Sequence, residues 1–478
     1  MRFPGLLDIL LAASPAPRRP DQGPGEPALP RGRLWPHGVA RAHCCPGRNG
    51  HSLTDVAQNQ SDDTSTAPVG PPPPQGRIDG IDAARAIAVF GMFVVHLGVG
   101  SMGFLSPENY AWDLHSIVRG NSSALFALLA GVSLAMMTGR TAPVGGEPLL
   151  RAIARILTRA VLIGLLGAVL DIMAVPIAII LTYYAGFFLL ALPLVKLRPG
   201  ALWAVAGGLA VVGPFLSFAL REAFLVPELR SGAVPTLTEF FLTGYYPAVT
   251  FMVYVVAGMA LGRLDLTATA VRLRLAVAGA ALSVFAYGGS WLTLGPLGGL
   301  DRLVAASGPG LTGLSPGAAA DPAVAEQVRY AVTDHAESIS GQVPTDSWWW
   351  LAVNTPHTGT TFEIAEAVGQ GLIVLVACMF LCDRFRVAMY PLTSVGRMPL
   401  TVYSGHILAL AVVIGALGPG WAAPWLLEWF VLGALVFATL WRLVVGRGPA
   451  ELLLGEAADG VVSLVDERRA AGGGRPGA

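Results

Sequence analysis

Titratable side chains recur at helical spacing inside otherwise apolar stretches of this chain. The run Arg77-Ile-Asp-Gly-Ile-Asp82-Ala-Ala-Arg85 opens an apolar segment that later reaches His96. Asp82 and Arg85 are three residues apart, so a helix sets them on one face where they can pair. The same spacing also reads as a helix start with an arginine that snorkels back to the polar layer. His96 lies about 20 Å further along at 1.5 Å per residue, in the far half of a bilayer. There it is either a packed polar group or a base. A second segment begins Gly396-Arg397-Met-Pro-Leu400-Thr401-Val-Tyr403-Ser-Gly-His406. Tyr403 and His406 share a face, and Arg397 stands at the mouth. A guanidinium there holds phosphate bidentately or anchors topology.

Two further groups flank apolar segments. Asp113 and His115 precede Arg119-Gly120-Asn121-Ser122-Ser123, and Pro356-His357-Thr-Gly359 leads into Glu363 and Glu366. A histidine beside carboxylates at a helix entry can be held in one tautomer and used as a base. Spacing leaves open whether Glu363, Glu366 and His96 converge. No stretch carries a metal-ligand set, and Cys44, Cys45, Cys378 and Cys382 show neither a disulfide framework nor a zinc spacing.

The elements that must position these groups are read from composition. Of 478 residues 54% are hydrophobic and 13% charged, whereas a soluble protein carries about a quarter charged residues. The formal net charge is zero, which argues against a nucleic-acid partner, since phosphate neutralisation needs an excess of Lys and Arg on one face. The expected fold is all-α: a polytopic integral membrane helical bundle with about ten transmembrane helices. A hydrocarbon core about 30 Å thick takes roughly twenty apolar residues per helix. The candidate runs are roughly 81–101, 122–138, 157–174, 176–195, 201–220, 247–261, 275–294, 362–382, 400–417 and 424–445.

Orientation comes from the connections. Arg140, Arg151, Arg155 and Arg159 flank the second, Lys196 and Arg198 the fourth, Arg263, Arg272 and Arg274 the sixth, and Arg384, Arg386 and Arg397 the eighth. Excess Lys and Arg mark cytoplasmic loops, so both termini are expected in the cytoplasm and the long connection 295–361 outside. Its Trp348, Trp349 and Trp350 read as an interfacial aromatic belt or as part of a lid over an external pocket. Residues 1–76 are Pro/Gly/Arg-rich and expected to be a disordered cytoplasmic leader, or an extension from a start codon assigned too far upstream. The membrane domain is expected over 77–454, with a disordered cytoplasmic tail over 455–478.

These motifs resemble a family. Arg77-x-x-Gly80-x-Asp82-x-x-Arg85-x-x-Ala88, followed by Met92 and His96, is similar to the first-span signature of transmembrane acyltransferases, including bacterial sugar O-acyltransferases and the heparan-alpha-glucosaminide N-acetyltransferase family. Ser123-Ala-Leu-Phe-Ala-Leu-Leu-Ala-Gly131-Val-Ser133 resembles the second span of the latter branch and of the bacterial membrane family called domain of unknown function 418. Gly396-Arg397-x-x-Leu400-Thr401-x-Tyr403-x-x-His406 and Gly448-Pro449-Ala-Glu451-Leu resemble that bacterial family's carboxy-terminal region.

The resemblance implies an acyltransferase of the plasma membrane that takes acetyl-CoA, or another acyl-CoA, as cytoplasmic co-substrate. The acyl group would pass to an external amine or hydroxyl, often on a sugar. The resemblance implies a catalytic histidine, His96 or His115; Glu363 joins them as a catalytic candidate from its place at a helix entry, and the expected co-substrate contacts are Arg77, Asp82, Arg85, Arg397, Tyr403 and His406. The His-x-x-Trp-x-Gly pattern of the glucosaminide branch matches at His115 without its Trp, so the choice between the two histidines stays open. Expected partners are the bilayer, acyl-CoA and the acceptor, with a homodimer left open. The alternative is a transporter or permease, against which no pair of matching broken helices is visible.

Overall fold

The computed structural model describes residues 77–103, 114–224, 235–314 and 321–472. The stretch 1–76 and Asp113 lie outside them. Helix α1 spans Asp79–Leu97, α2 Leu114–Val118, α3 Asn121–Met137, α4 Gly146–Asp171 and α5 Leu181–Ala191. They are followed by α6 at Pro199–Phe224, α7 at Ala248–Gly262, α8 at Thr269–Leu294, α9 at Gly299–Thr312 and α10 at Pro322–Ser338. The last five are α11 at Thr361–Arg384, α12 at Tyr390–Arg397, α13 at Pro399–Leu417, α14 at Leu426–Val444 and α15 at Pro449–Gly472. Among the described residues every regular element is helical.

Among the described residues eight helical segments are long and apolar enough to cross a membrane: α1, α2 with α3, α4, α6, α8, α11, α13 and α14. The other two expected spans are shorter, an apolar Leu181–Leu194 and α7. All of α7 except Val249 is buried, so it is the helix the others wrap. At 15 residues it is about 22 Å long, less than a hydrocarbon core. Protein rather than lipid surrounds its ends, and polar backbone at membrane depth is tolerated there.

Glycines set the closest approaches. A Cβ on Gly258 of α7 would lie 1.8 Å from the Leu128 carbonyl oxygen of α3, and one on Gly131 would lie 2.0 Å from that of Val255. Between α8 and α11 the relation is reciprocal: a Cβ on either Gly279 or Gly369 would lie 2.7 Å from the other's carbonyl oxygen. Hydrocarbon offers no hydrophobic drive between helices, so close backbone packing through small residues takes its place.

The basic connections meet at one end. Arg263, just past α7, is 2% exposed and donates to the carbonyls of Ala135, Thr138, Arg140 and Val195, which joins the second, fourth and sixth connections. Arg272 pairs with Asp383, joining the sixth to the eighth. Arg397, just past the eighth, reaches Asp79 at the start of α1. The up-and-down order read from the charges is therefore the order of the bundle.

Two expectations are corrected. The stretch 455–478, read as disordered, is helical to Gly472. Arg151 and Arg155 of α4 bond Asp466 and Asp459 of α15 at 3.0 and 3.1 Å, so charges that looked merely soluble tie the helix down. At the opposite end the connection 295–361 is a small helical cap rather than a loop. Phe218 of α6 enters its core with Leu303, Val332, Trp350 and Val353. Trp350 is fully buried and donates to Asp346 Oδ1 at 2.8 Å, which removes it from any aromatic belt. Arg119 fastens the α2–α3 junction to the cap by donating to the carbonyls of Glu337 and Ile339.

Gly131→Ala and Gly258→Ala should each lower the melting temperature of the detergent-solubilised protein, since overpacking costs about 1–3 kcal/mol. Gly207→Ala on α6, where a Cβ meets nothing within 4 Å, is the control and should melt like wild type. Unchanged melting of both core variants would mean that α3 and α7 do not touch backbone to backbone.

Candidate functional site

The groups singled out by motif fall into three places. The first is at the basic end. Asp82 is 1% exposed, accepts from Arg85 Nη1 at 2.7 Å and lies 3.6 Å from Arg397 Nε. Arg397 Nη2 also bonds Asp79 at 3.0 Å, and Arg85 Nη2 donates to Ser133 Oγ of α3 at 2.9 Å. Gly396 makes this possible: a Cβ there would lie 1.6 Å from the Asp82 carbonyl oxygen, so only glycine lets α12 close on α1 and bring Arg397 to the carboxylates. Arg77 is exposed, two residues before α1.

The two guanidiniums and two carboxylates of Asp79, Asp82, Arg85 and Arg397 balance, so Arg397 is not a bare anion site. The excess positive charge comes from Arg386 and Arg442. Arg386 is exposed and 3.9 Å from Asp79. Arg442 of α14 donates to Thr393 Oγ1 and Ser394 Oγ at 2.9 and 3.1 Å and stacks over the Tyr390 ring at 4.1 Å. In the sequence Arg386 counts as a topological charge, and Arg442 belongs to no motif. Arg442 sits near the end of an apolar run, a place that resembles any snorkelling arginine.

The second place is a pair of imidazoles. His96 Nδ1 lies 2.9 Å from His406 Nε2, and the two rings stack 12° from parallel. His96 is half-buried and His406 is 4% exposed. Phe93 covers His406 at 4.5 Å between centroids. Tyr403 closes the other side at 5.1 Å from His406 and 6.4 Å from His96, with its hydroxyl oxygen 3.4 Å from the Ile180 N–H. Tyr403 and His406 thus belong with His96 and not with the arginines at the mouth.

One hydrogen bond between two neutral imidazoles needs one N–H and one lone pair. His406 Nδ1 is buried with no hydrogen-bond partner among the described residues. In the tautomer that carries the His406 proton on Nδ1, Nε2 accepts from His96 Nδ1–H. His96 Nε2 then carries the lone pair, the form a general base requires.

Helix α13 is held for this by Glu451 of α15. Its Oε1 accepts from the N–H groups of Leu400 and Thr401 at 2.8 and 3.2 Å, and its Oε2 from Thr401 Oγ1 at 2.5 Å. A carboxylate on the first N–H groups of a helix satisfies orphan donors and meets the positive end of the helix dipole. Pro399 at the start of α13 has no N–H to satisfy. The Gly448-Pro449-Ala-Glu451 motif is therefore a cap on the helix that carries Tyr403 and His406.

The third place is Glu363, which is 7% exposed. It accepts from Tyr254 OH at 3.1 Å and from the N–H groups of His357 and Gly359. Gly80 of α1 lies against Met379 of α11, and His96 and Glu363 are each sixteen residues, about 24 Å, beyond that contact. They share a depth, yet neither imidazole bonds Glu363 among the described residues. The space beside Glu363 is about 10 Å³, enough for one water. Glu366 bonds Tyr287 OH at 2.6 Å and Gln370 at 2.8 Å. His115 is half-buried on α2, one turn before Val118, which faces Gly91 of α1.

Residues 77–292 match the family model described as heparan-alpha-glucosaminide N-acetyltransferase, catalytic, and residues 338–460 match the one described as protein of unknown function (DUF418). No curated protein matches the chain. His96, Asp82 and Arg85 fall in the first match; Arg397, Tyr403, His406 and Glu451 fall in the second. The imidazole pair and the Asp79–Arg397 ion pair each join the two.

Glu451→Ala should destabilise the protein by about 1 kcal/mol, the usual worth of a helix N-cap. Thermal unfolding followed by circular dichroism measures it, with Glu451→Gln, which keeps an acceptor oxygen, expected to lose less. Equal melting of Glu451→Ala and wild type would contradict the capping role.

Proposed function

We propose that this chain, which belongs to the heparan-alpha-glucosaminide N-acetyltransferase-like and DUF418 membrane acyltransferase family, moves an acyl group from acyl-CoA to an amine or hydroxyl acceptor. The observation that carries the reading is the 2.9 Å bond between His96 and His406, which joins the two matched segments and orients one imidazole with the other. His96 Nε2 takes the acceptor proton. The acceptor oxygen or nitrogen bonds to the acyl carbon, the carbon–sulfur bond breaks, and the leaving thiolate recovers the proton from the imidazolium. An imidazole held by a second group in this way typically supplies a factor of about 10²–10⁴.

Acetyl-CoA is the proposed donor, approaching from the basic end. Its phosphates need cations, and Arg386 and Arg442 supply the excess positive charge there around α12, beside the paired Arg397. We place that end at the cytoplasm of a plasma-membrane protein, with both termini on that side and the cap outside. The support is that all four basic connections gather at one end of the bundle. Glu363 is assigned to anchoring the segment 357–359 rather than to the reaction, because three donors already occupy it. His115 is the alternative base, one turn from Val118 beside α1.

His96→Ala should lower kcat/KM for acetyl-CoA by about 10²–10⁴ while the protein still folds, with a loss of stability of about 1–3 kcal/mol from the unpaired His406, and Glu363→Gln should act on stability alone. Full turnover by His96→Ala and by His406→Ala would remove the imidazole pair from the reaction. Absence of acetyl-CoA binding, together with solute flux in proteoliposomes, would replace this reading with a transporter. For the orientation, Thr267→Cys in a background lacking Cys44 and Cys45 should react with an impermeant maleimide only after the cell is opened. Labelling of intact cells would invert the topology.

A further inference from the structure

Helices α13 and α14 run antiparallel but do not close on each other. Between them lies a cavity of about 390 Å³, lined by Phe93, Gly405, His406, Ala409, Phe430 and Gly433 among others. It extends along α13 from Thr401 to Ala409, about 12 Å at the helical rise. Small residues at a membrane helix interface normally draw backbones together, as Gly131 and Gly258 do. Here a Cβ on either Gly405 or Gly433 would meet nothing within 4 Å. The glycines leave a slot in place of a contact.

What fills such a slot follows from its rim. Both helices are of span length, and Leu408, Val412, Trp429, Leu432 and Val436 are exposed apolar residues on them. In a bilayer those side chains face hydrocarbon, so the slot opens sideways to lipid chains. Its inner wall is His406, bonded to His96. The hydroxyl of Thr401 at its end is already held by Glu451, which leaves an apolar channel with an imidazole relay behind one wall.

We propose that this slot seats the hydrocarbon tail of a membrane-borne acceptor, a lipid whose head carries a hydroxyl or amine and which reaches the imidazole pair from within the bilayer. The inference rests on the acyltransferase reading and names its acceptor class. CoA, with its phosphates, cannot enter from hydrocarbon and keeps to the arginine-rich end, so donor and acceptor arrive by separate routes. The chemistry balances as for any acceptor: the lipid's O–H or N–H gives its proton to the imidazole pair, its heteroatom bonds the acyl carbon, the carbon–sulfur bond breaks, and CoA takes that proton and leaves as the thiol. The product is an acylated lipid.

The test uses the full chain in nanodiscs and, as probe, a long-chain fatty alcohol bearing a mid-chain diazirine. After irradiation, peptide mapping should place label within 405–409 and 429–437. Gly405→Leu and Gly433→Leu, which fill the slot without meeting backbone, should each lose that label. Gly415→Leu, on the same helix with open space around it, should keep it. Unlabelled long-chain alcohol should displace the probe and excess phosphatidylcholine, whose head has neither O–H nor N–H, should not; equal displacement by that phospholipid would overturn the acceptor assignment. Radiolabelled acetyl-CoA separates the layers. Hydrolysis of acetyl-CoA with no label in the slot overturns the lipid acceptor alone. Slot labelling with neither hydrolysis nor transfer overturns the acyltransferase reading and the acceptor with it. Acetyl label extracted into organic solvent, lost in Gly433→Leu, supports both.

Discussion

A charge or an imidazole surrounded by hydrocarbon must find its partner inside the protein, and the arrangement of α1 against α12 and α13 follows from that requirement. Asp79, Asp82 and Arg85 on the first helix and Arg397 on the twelfth satisfy one another at one end. Further along the same helix His96 meets His406. Two polar contacts some distance apart on α1 pin the later helices in position and register. The first of them needs a backbone approach that glycine allows, at Gly396.

The same logic explains why several charges are spent on structure. Arg263 is a positive charge in a basic connection, and it is also a bolt through the carbonyl ends of neighbouring segments. Buried arginine is tolerated because its fork of donors matches several acceptors at once. Glu363 does the reverse at the other end, where one carboxylate gathers a phenol and two backbone N–H groups. Glu451 serves α13 by capping it. A motif rich in ionisable residues can therefore belong to the frame that aims a site as much as to the site itself.

The division between frame and site also gives sense to the two matched segments. The first supplies the helix with His96; the second supplies Arg397, Tyr403, His406 and the cap on their helix. Tertiary contact across more than three hundred residues makes one chemical unit of them. The slot between α13 and α14 lies next to that unit because α13 presents His406 to α1 and Gly405 to the lipid side, faces that a helix separates by its 3.6-residue turn.

Much was legible without coordinates. Apolar run lengths gave the helical membrane class, because a bilayer has a fixed thickness and an unpaired backbone cannot cross it. Alternation of basic connections gave the up-and-down order, since each charge cluster must stay on one side. The spacing of Asp82 and Arg85 gave their pairing, a local matter of helix geometry. Other assignments needed the packed bundle. That His406 partners His96, that Glu363 lies at the depth of His96 yet bonds elsewhere, and that residues 455–472 form a docked helix all depend on which face of one helix meets which face of another. Periodicity tells which residues share a face, and carries no information about the neighbour that face will find.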